Sequence, residues 1–545
     1  MATASRLSHS KRNLIFGVLS SLLGIFTSFA VRTVLLYTLN EAFLGLNGLF
    51  TSIMQILNIT DLGFSVAIMF ILYKPIADGD DERINAIANF LRKIYLVIGL
   101  IIIALGAAIM PALRFLVNTN TSEEHLEMLG NLNIYIPFAI YVVNSSISYI
   151  FFGYKSTILS AMQRQDIVSI IHILSTTLAR IAQIVCLLLF KNYYIFAALL
   201  VLGSVLNNVF IQILSKKYFP NIKPKGKIDD ESKKTFKKQI GSVFLGRLGD
   251  IARNSFDSIF ISLFLGIVFV GIYENYFYIY SAIYGIMGVI IHAIQASVGN
   301  SIATESKEKN YDDLLKFNFI FMVFVGFCTI CMACLYQPFM MIWMKGRTDM
   351  LMKDYDMFIF CVYFYLINMT YVRSMYLDGY GLFSQRKWLF ILEVVFNVGL
   401  NALLGYFWGL TGILLASTIT ILVFNFIGQN YVLFKHYFGM SSKTFYLQNL
   451  LYLGITAMIC ALVYLGCYFI PAIPGSGIWP YVWDFLIKLG ICLIAPIALY
   501  LLVYFKYKYF KTSLVYVRAM ISHRKSEPQV EETSVEEDET KEVEE

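Results

Sequence analysis

The chain has 545 residues, of which 58% are hydrophobic and only 14% are charged, whereas an ordinary soluble protein has about 25% charged residues. This composition excludes a typical soluble enzyme and predicts an all-α polytopic membrane protein, because each crossing of the bilayer takes ~20 apolar residues. The formal net charge of +7 does not indicate a nucleic-acid partner, since lysine and arginine concentrate in short segments between apolar stretches, where they set topology.

The apolar segments, taken in chain order, predict about 14 transmembrane helices. Six lie at roughly residues 13–37, 44–73, 94–117, 134–152, 167–190 and 193–214. Six more lie at 242–266, 268–297, 317–344, 355–375, 388–408 and 412–434, and the last two at 450–470 and 483–504. Between the second and third spans, residues 81–93 predict a short amphipathic helix at the membrane surface.

These spans divide the chain into five predicted regions. Residues 1–214 form a first six-helix bundle, and residues 215–241, with nine lysines, form a solvated cytoplasmic linker. Residues 242–440 form a second six-helix bundle, and residues 441–505 add two membrane helices. Residues 506–545 form a cytoplasmic tail whose end is acidic and predicted to be disordered.

The distribution of lysine and arginine predicts the orientation in the membrane. With the N-terminus in the cytoplasm, 32 of the 43 basic residues lie in cytoplasmic segments and 4 lie outside. The positive-inside rule therefore predicts a multi-pass protein of the plasma membrane with both termini in the cytoplasm.

A shift of 226 residues aligns the two predicted bundles. It brings Lys11–Asn13 onto Lys237–Gln239, and Phe43–Leu46 onto Phe269–Ile272. Both bundles start from the cytoplasm and are therefore predicted to be parallel repeats. Transporters built from two such halves bind their substrate at the interface between the halves.

Four ionisable residues lie in the segment 246–257, at the start of the second bundle: Arg247, Asp250, Arg253 and Asp257. On a helix they share one face about 120° wide. A charge at the centre of a membrane helix costs roughly 2.5 to 3.5 kcal/mol, so such groups face a bundle interior or a water-filled cavity. Their spacing allows pairing along the helix, and both interpretations, internal ion pairs and one wall of a transport cavity, stay open.

Eight buried charges are the candidate functional residues. The arginines are candidate substrate ligands, because guanidinium binds phosphate oxygens bidentately and stays charged when desolvated, which suits a diphosphate head group. The carboxylates are candidates to bind a coupling H⁺ or Na⁺, or only to neutralise the arginines. The arginines are Arg32, Arg180, Arg247 and Arg253, and the carboxylates are Asp250, Asp257, Glu274 and Glu393.

The sequence predicts no catalytic site, cofactor or metal centre. It contains no phosphate-binding loop, zinc-protease motif or dinucleotide fingerprint, which removes ATP-driven pumping by this chain alone. All eight cysteines lie in apolar stretches. Cys328, Cys331 and Cys334 have the spacing of a metal-ligand run, but are interpreted as small packing residues of a membrane helix.

Three segments near the N-terminus carry a family resemblance. They are RTVLLYTLNEAFLGLNGLFTSI from Arg32, LNITDLGF from Leu57 and YKPIAD from Tyr73. They resemble Wzx-type polysaccharide-export flippases of the multidrug/oligosaccharidyl-lipid/polysaccharide exporter superfamily. The resemblance implies two six-helix bundles that face each other across a central, often cationic cavity, with alternating access. It places Arg32 and Arg253 in that cavity.

The resemblance also implies a function and partners. The substrate would be an undecaprenyl-diphosphate-linked oligosaccharide repeat unit, moved from the inner to the outer leaflet for cell-surface polysaccharide export. The partners would be membrane lipids and a glycan polymerase or glycosyltransferases. Alternatives in the same superfamily are a lipid II flippase and a cation-coupled multidrug antiporter, although four buried arginines count against the antiporter.

A membrane glycan polymerase or ligase is the alternative from a different class. Such an enzyme normally needs a sizeable external loop for acceptor binding and catalysis, whereas the longest external segment predicted here, residues 118–133, has 16 residues. The sequence therefore predicts a transporter and not an enzyme.

Overall fold

The computed structural model describes residues 22–58, 64–118, 123–471 and 473–511. Within α-helices it describes only the backbone of residues 64–67, 70, 118, 125, 237–254, 289–290, 292–293 and 296. The described ranges are almost entirely helical and contain no β-strand. The predicted all-α polytopic fold is confirmed.

The described residues that precede residue 219 contain nine helices. They are α1 (Leu22–Thr38), and α2 (Glu41–Leu57), α3 (Phe64–Asp78), α4 (Asp81–Asn118), α5 (Glu123–Glu127), α6 (Tyr135–Ile150), α7 (Tyr154–Ala161), α8 (Gln165–Phe190) and α9 (Tyr193–Tyr218). The first and last residue given for each helix are those of the described residues.

The rest of the described chain contains nine further α-helices. They are α10 (Asp230–Leu265), α11 (Ile267–Thr304), α12 (Lys307–Trp343), α13 (Asp354–Asn368), α14 (Tyr371–Gly379), α15 (Phe383–Thr420), α16 (Gln429–Leu433), α17 (Lys443–Tyr468) and α18 (Trp479–Tyr504). Two π-helical segments, Ile421–Gly428 and Phe434–Phe438, flank α16.

Eight helical segments of the described chain are long and apolar enough to cross a membrane, or nine when α6 and α7, bent by 49°, count as one span. One of them, Phe383–Phe438, contains two of the predicted spans. Helices α1 and α2 and residues 255–265 are apolar but shorter. Each of the 14 predicted spans overlaps a helix.

One local prediction is wrong. The surface helix predicted at 81–93 is not a separate element, because α4 continues without a break from Asp81 to Asn118. No glycine or proline lies between its polar first turns and the apolar part that follows, so the helix propagates through both. Within the predicted second span, α2 ends at Leu57 and α3 begins at Phe64, and residues 59–63 lie outside the described residues.

The basic segment 215–241 is helical at both ends. Helix α9 runs to Tyr218, and α10 begins at Asp230. Asp229 caps α10 because its carboxylate accepts a hydrogen bond of 2.7 Å from the backbone N–H of Ser232.

Helices α2 and α11 cross at glycines. A Cβ atom placed on Gly45 would lie 1.9 Å from the carbonyl oxygen of Ile267 and 3.2 Å from the backbone nitrogen of Gly271. A Cβ atom placed on Gly271 would lie 3.2 Å from the backbone nitrogen of Gly45. These two glycines are partners in the 226-residue repeat, and their reciprocal contact is what a two-fold relation between parallel repeats requires.

Helices α17 and α18 pack against α12. The hydroxyl groups of Thr456 and Tyr500 form a hydrogen bond of 2.8 Å over Gly326 of α12, where a Cβ atom would lie 2.1 Å from the tyrosine oxygen. The two additional membrane helices are therefore joined to the rest of the molecule through the ninth predicted span.

Candidate functional site

Arg32 reaches from α1 to α11. Its Nε donates a hydrogen bond of 2.7 Å to the side-chain oxygen of Asn275. Its Nη2 is buried and has no hydrogen-bond partner among the described residues. Glu274, the preceding residue of α11, lies close enough to interact electrostatically with the guanidinium. A buried guanidinium nitrogen without an acceptor costs free energy, which an anionic ligand would offset.

Glu274 lies where α2, α10 and α11 meet. The hydroxyl group of Ser258 donates a hydrogen bond of 2.8 Å to its Oε1. Gly48 of α2 leaves room for the carboxylate, because a Cβ atom there would lie 2.7 Å from Cγ of Glu274. The 226-residue shift aligns Arg32 with Ser258. Two repeat-related positions therefore approach the same carboxylate.

Arg180 of α8 binds the first helix. Its Nη1 donates hydrogen bonds to the carbonyl oxygen of Gly24, at 2.8 Å, and to the hydroxyl group of Thr27, at 2.7 Å. Tyr278 of α11 donates a hydrogen bond to a backbone carbonyl of α1 and interacts electrostatically with Arg180 and Arg32. We call this group the arginine cluster: Arg32, Arg180, Glu274, Asn275 and Tyr278.

A second polar group, the aspartate centre, lies between α10 and α15. The carboxylate of Asp257 is buried and accepts hydrogen bonds from Nδ2 of Asn401, at 2.8 Å, and from the hydroxyl group of Ser417, at 3.0 Å. Asn397 donates to the Ser417 hydroxyl at 3.1 Å and to Thr420 at 3.4 Å. The side-chain oxygen of Asn401 is buried and accepts no hydrogen bond from any described residue.

Glu393 continues this polar region along α15. It is buried and accepts a hydrogen bond of 2.6 Å from Asn425 of the first π-helical segment. Arg373 donates a hydrogen bond to the carbonyl oxygen of the same Asn425. Glu393, Asn397 and Asn401 recur every fourth residue, so one face of α15 connects Glu393 to the aspartate centre.

The asparagines of this region were not predicted as functional residues, although the sequence contains a signal for them. An acidic or amide residue at every fourth position of an apolar span marks a polar stripe on one helix face. The positions are Glu393, Asn397 and Asn401.

The structure does not describe the side chains of three predicted site residues. Arg247, Asp250 and Arg253 belong to α10, but their side chains lie outside the described residues. Their roles stay predictions. Of the other five, the structure brings Arg32, Arg180 and Glu274 together in the arginine cluster, and Asp257 and Glu393 in the polar region of α15.

The hairpin between α1 and α2 is joined to the loop after α12 by ion pairs. Arg347 donates hydrogen bonds of 2.8 and 3.3 Å to the two carboxylate oxygens of Glu41, and one of 2.7 Å to Asp349. These bonds lower the pKa of Glu41 below its ordinary value. Tyr37 donates a further hydrogen bond to the carbonyl oxygen of Trp343. We call Glu41, Arg347 and Asp349 the hairpin latch.

Three buried cysteines from three helices lie close together. The sulfur atoms of Cys334, Cys467 and Cys492 are within 4.8 Å of one another. Only one member of the sequence run at 328, 331 and 334 takes part, and the other two thiols come from α17 and α18. Soft cations take sulfur ligands, but closed zinc sites take four. The interpretation of the cysteines as packing residues stays a prediction.

A family comparison identifies the class of protein. The family described as "Polysaccharide biosynthesis protein" matches residues 10–295, which is more than half of the chain. The chain belongs to this family. No curated protein has a sequence that matches this member.

Solved structures show the fold of this family member. The lipid II flippase MurJ, in an inward closed conformation, superposes with a TM-score of 0.61 at 17% identity, over 90% of this chain and 98% of that chain. An inward-facing multidrug resistance MATE family transporter of the MOP superfamily gives a TM-score of 0.60 at 16% identity, over 76% and 93% of the two chains.

A MOP superfamily transporter from Pyrococcus furiosus Vc1 gives a TM-score of 0.54 at 15% identity, over 78% of this chain and 94% of that chain. The polysaccharide biosynthesis protein described here therefore has the fold of MOP superfamily transporters. This agrees with the fold that the resemblance in the sequence implies.

Proposed function

We propose that this protein is a flippase. It moves undecaprenyl-diphosphate-linked oligosaccharide repeat units from the inner to the outer leaflet of the plasma membrane by alternating access. The proposal combines membership of a polysaccharide biosynthesis family with the fold of MOP superfamily transporters. The observation that carries it is the arginine cluster. There, Nη2 of Arg32 is buried and donates no hydrogen bond to any described residue.

The chemistry of the arginine cluster suits a diphosphate. Guanidinium groups stay charged when they are desolvated and bind phosphate oxygens at two points. Arg32 and Arg180 both interact with Tyr278 of α11, so one anionic head group between α1 and α11 would meet both cations. The prenyl chain would stay in the lipid while the sugar and diphosphate pass through the protein.

Coupling to a cation gradient is part of the proposal. The aspartate centre supplies a buried carboxylate, two hydroxyl groups and two amide oxygens, which are the ligand types that hard cations take. The proposed coupling residues are Asp257, Glu274 and Glu393, whose side chains the structure describes, together with Asp250, and H⁺ and Na⁺ are the candidate ions. Both termini are proposed to lie in the cytoplasm, with a glycan polymerase or glycosyltransferases as partners.

Substitution of Arg32 tests the proposal. In a cell that depends on this protein for export, Arg32→Ala should reduce surface polysaccharide by about tenfold or more, because one charged hydrogen bond contributes roughly 1.5 to 3 kcal/mol. Single lipid-linked repeat units should accumulate on the cytoplasmic face. Arg83→Ala is the matched control, because Arg83 forms a part-exposed ion pair with Asp229 away from the cluster.

The place and kind of the accumulated lipid separate the alternatives. Single repeat units that accumulate on the outer face would indicate a polymerase, and accumulation of lipid II would indicate a lipid II flippase. Unchanged export in Arg32→Ala, with normal amounts of protein in the membrane, would contradict the role assigned to the arginine cluster.

A further inference from the structure

A basic cavity of about 630 Å³ lies where α4, α7 and α9 meet the segment that follows α9. Four cations line it: Arg92, Lys155, Lys216 and Lys223. None of the described residues that line it is acidic. It lies on the side of the molecule for which the positive-inside rule predicts the cytoplasm.

Lys155 distinguishes this cavity from an ordinary basic surface. The residue is only 6% exposed, and it forms no ion pair with the described part of the chain. It interacts electrostatically with another cation, Lys216. Burial of an ammonium group without a counter-charge is costly. The cavity therefore holds uncompensated positive charge that an anion would stabilise.

Gln212 adds a buried polar group to the same cavity. Its side-chain oxygen is buried and has no hydrogen-bond partner within the described ranges. The oxygen can accept a hydrogen bond from a hydroxyl group of a ligand. The cavity thus offers cations for an anion and an acceptor for a hydroxyl group beside it.

Hydrogen bonds with α4 hold the segment between α9 and α10. They fix the backbone of Lys223 beside the cavity. Asn85 accepts a hydrogen bond of 2.6 Å from the backbone N–H of Lys223. Asn89 donates one of 2.9 Å to the carbonyl oxygen of Gly226. The cavity is therefore a structured site.

A neighbouring cavity on the same side shows that this excess of charge is local. That cavity, of about 500 Å³, is lined by Asp80, Glu82, Asp229 and Glu231 together with Arg83 and Lys227. Arg83 and Asp229 form an ion pair of 3.2 Å. Anions are thus already present there, whereas the basic cavity contains only cations.

We propose that the basic cavity binds the phosphate of a membrane phospholipid head group, with phosphatidylglycerol as the matching chemistry. Lys155 and Arg92 would bind the phosphate oxygens, and Gln212 would accept a hydrogen bond from the glycerol. Phe151, which lines the cavity and is 51% exposed, would contact the acyl chains at the membrane interface. The site does not depend on which substrate the protein transports.

The test compares two variants of equal charge. Lys155→Met with Lys216→Gln removes two cations from the cavity, whereas Lys217→Gln with Lys225→Gln removes two exposed cations beside it. Each full-length protein is purified in neutral detergent, and its melting temperature is measured against added phosphatidylglycerol, phosphatidylcholine or inorganic pyrophosphate. Phosphatidylglycerol should stabilise the wild type and the control variant equally.

The cavity variant should bind phosphatidylglycerol at least tenfold more weakly, since each lost cation contributes roughly a five- to tenfold factor. Equal binding of phosphatidylglycerol by the cavity variant and the control variant would contradict the proposed binding site. Stabilisation by pyrophosphate but not by phosphatidylglycerol would overturn the phospholipid as its occupant. If the double variant does not fold, Lys216→Gln alone, at an exposed position, should weaken binding about fivefold, and unchanged binding would overturn the proposal.

Discussion

Arg32 and Asp257 form hydrogen bonds with side chains from distant parts of the chain. Arg32 and Asp257 are recognisable because a charge in an apolar span is unusual. Their partners are not, because Asn275, Asn401 and Ser417 are separated from them by 144 to 243 positions in the hydrogen bonds that they form. The local sequence pattern therefore identifies the charged residue. The residues that bind it are identified only by the packing of the helices.

Asp257 is the residue whose charge we expect to matter for ion coupling. Asp257→Asn keeps the shape and removes the charge, so it should abolish the dependence of lipid flipping on a Na⁺ or H⁺ gradient and lower the driven rate by about tenfold or more. The measurement is transport of a fluorescent lipid-linked oligosaccharide in proteoliposomes with imposed gradients. Asp230→Asn, at an exposed position, is the control. Gradient-dependent transport that persists in Asp257→Asn would exclude this carboxylate as the coupling site.

The hairpin latch gives a prediction for pH. Hydrogen bonds from Arg347 lower the pKa of Glu41, so ionised Glu41 stabilises the closed hairpin above its ordinary pKa. This stabilisation is lost as the pH falls through the lowered pKa. The distance between spin labels at Leu39→Cys and Thr348→Cys should therefore stay short from neutral pH to the ordinary pKa of glutamate, about 4.3, and increase only below it.

Glu41→Gln separates this effect from general acid unfolding. The variant lacks the titrating carboxylate, so the short distance should be less populated at neutral pH, by about fivefold for an interaction of ~1 kcal/mol. Most of the pH dependence should disappear, while Asp349, whose pKa Arg347 also lowers, retains a smaller part. The same pH profile in Glu41→Gln and the wild type would contradict the role of the latch.

At the scale of helices, apolar periodicity predicted the spans well and their ends poorly. The break between the eleventh and twelfth spans coincides with Gly409, whose φ of 57° interrupts α15, and glycine is a signal that sequence can provide. Residues 81–93 are joined to the apolar part of α4 without an intervening glycine or proline, so the continuity of this helix could have been inferred from the sequence.

The crossing of α2 and α11 predicts a strong effect of one methyl group. Gly45→Ala would place Cβ against the carbonyl oxygen of Ile267, so the helices must separate at a cost of roughly 1 to 3 kcal/mol. Gly454→Ala on α17 is the control, because a Cβ there meets no other atom within 4 Å. It should be neutral or stabilising by ~0.5–1 kcal/mol. Melting of the two variants in detergent checks this, and equal melting temperatures would contradict the close crossing.

For the whole molecule, the 226-residue repeat predicted two parallel halves, but it did not predict which residues of the two halves are in contact. Gly45 meets Gly271, and Arg32 and Ser258 approach Glu274 from opposite repeats. The packing of α17 and α18 on α12 was not predictable, because three cysteines far apart in the chain converge there without any local spacing. Long-range convergence of this kind leaves no periodic signal.

If the proposed flippase works by alternating access, we expect the hairpin latch to open once in each transport cycle. Glu41→Cys with Arg347→Cys, joined by a short thiol-reactive cross-linker, should therefore stop flipping in proteoliposomes. A cleavable cross-linker should restore transport when it is reduced. The single variants treated with the same reagent control for modification alone. Because the latch joins the α1–α2 hairpin to the loop after α12, it connects the two predicted repeats. Undiminished transport by fully cross-linked protein would show that these repeats do not separate at this end.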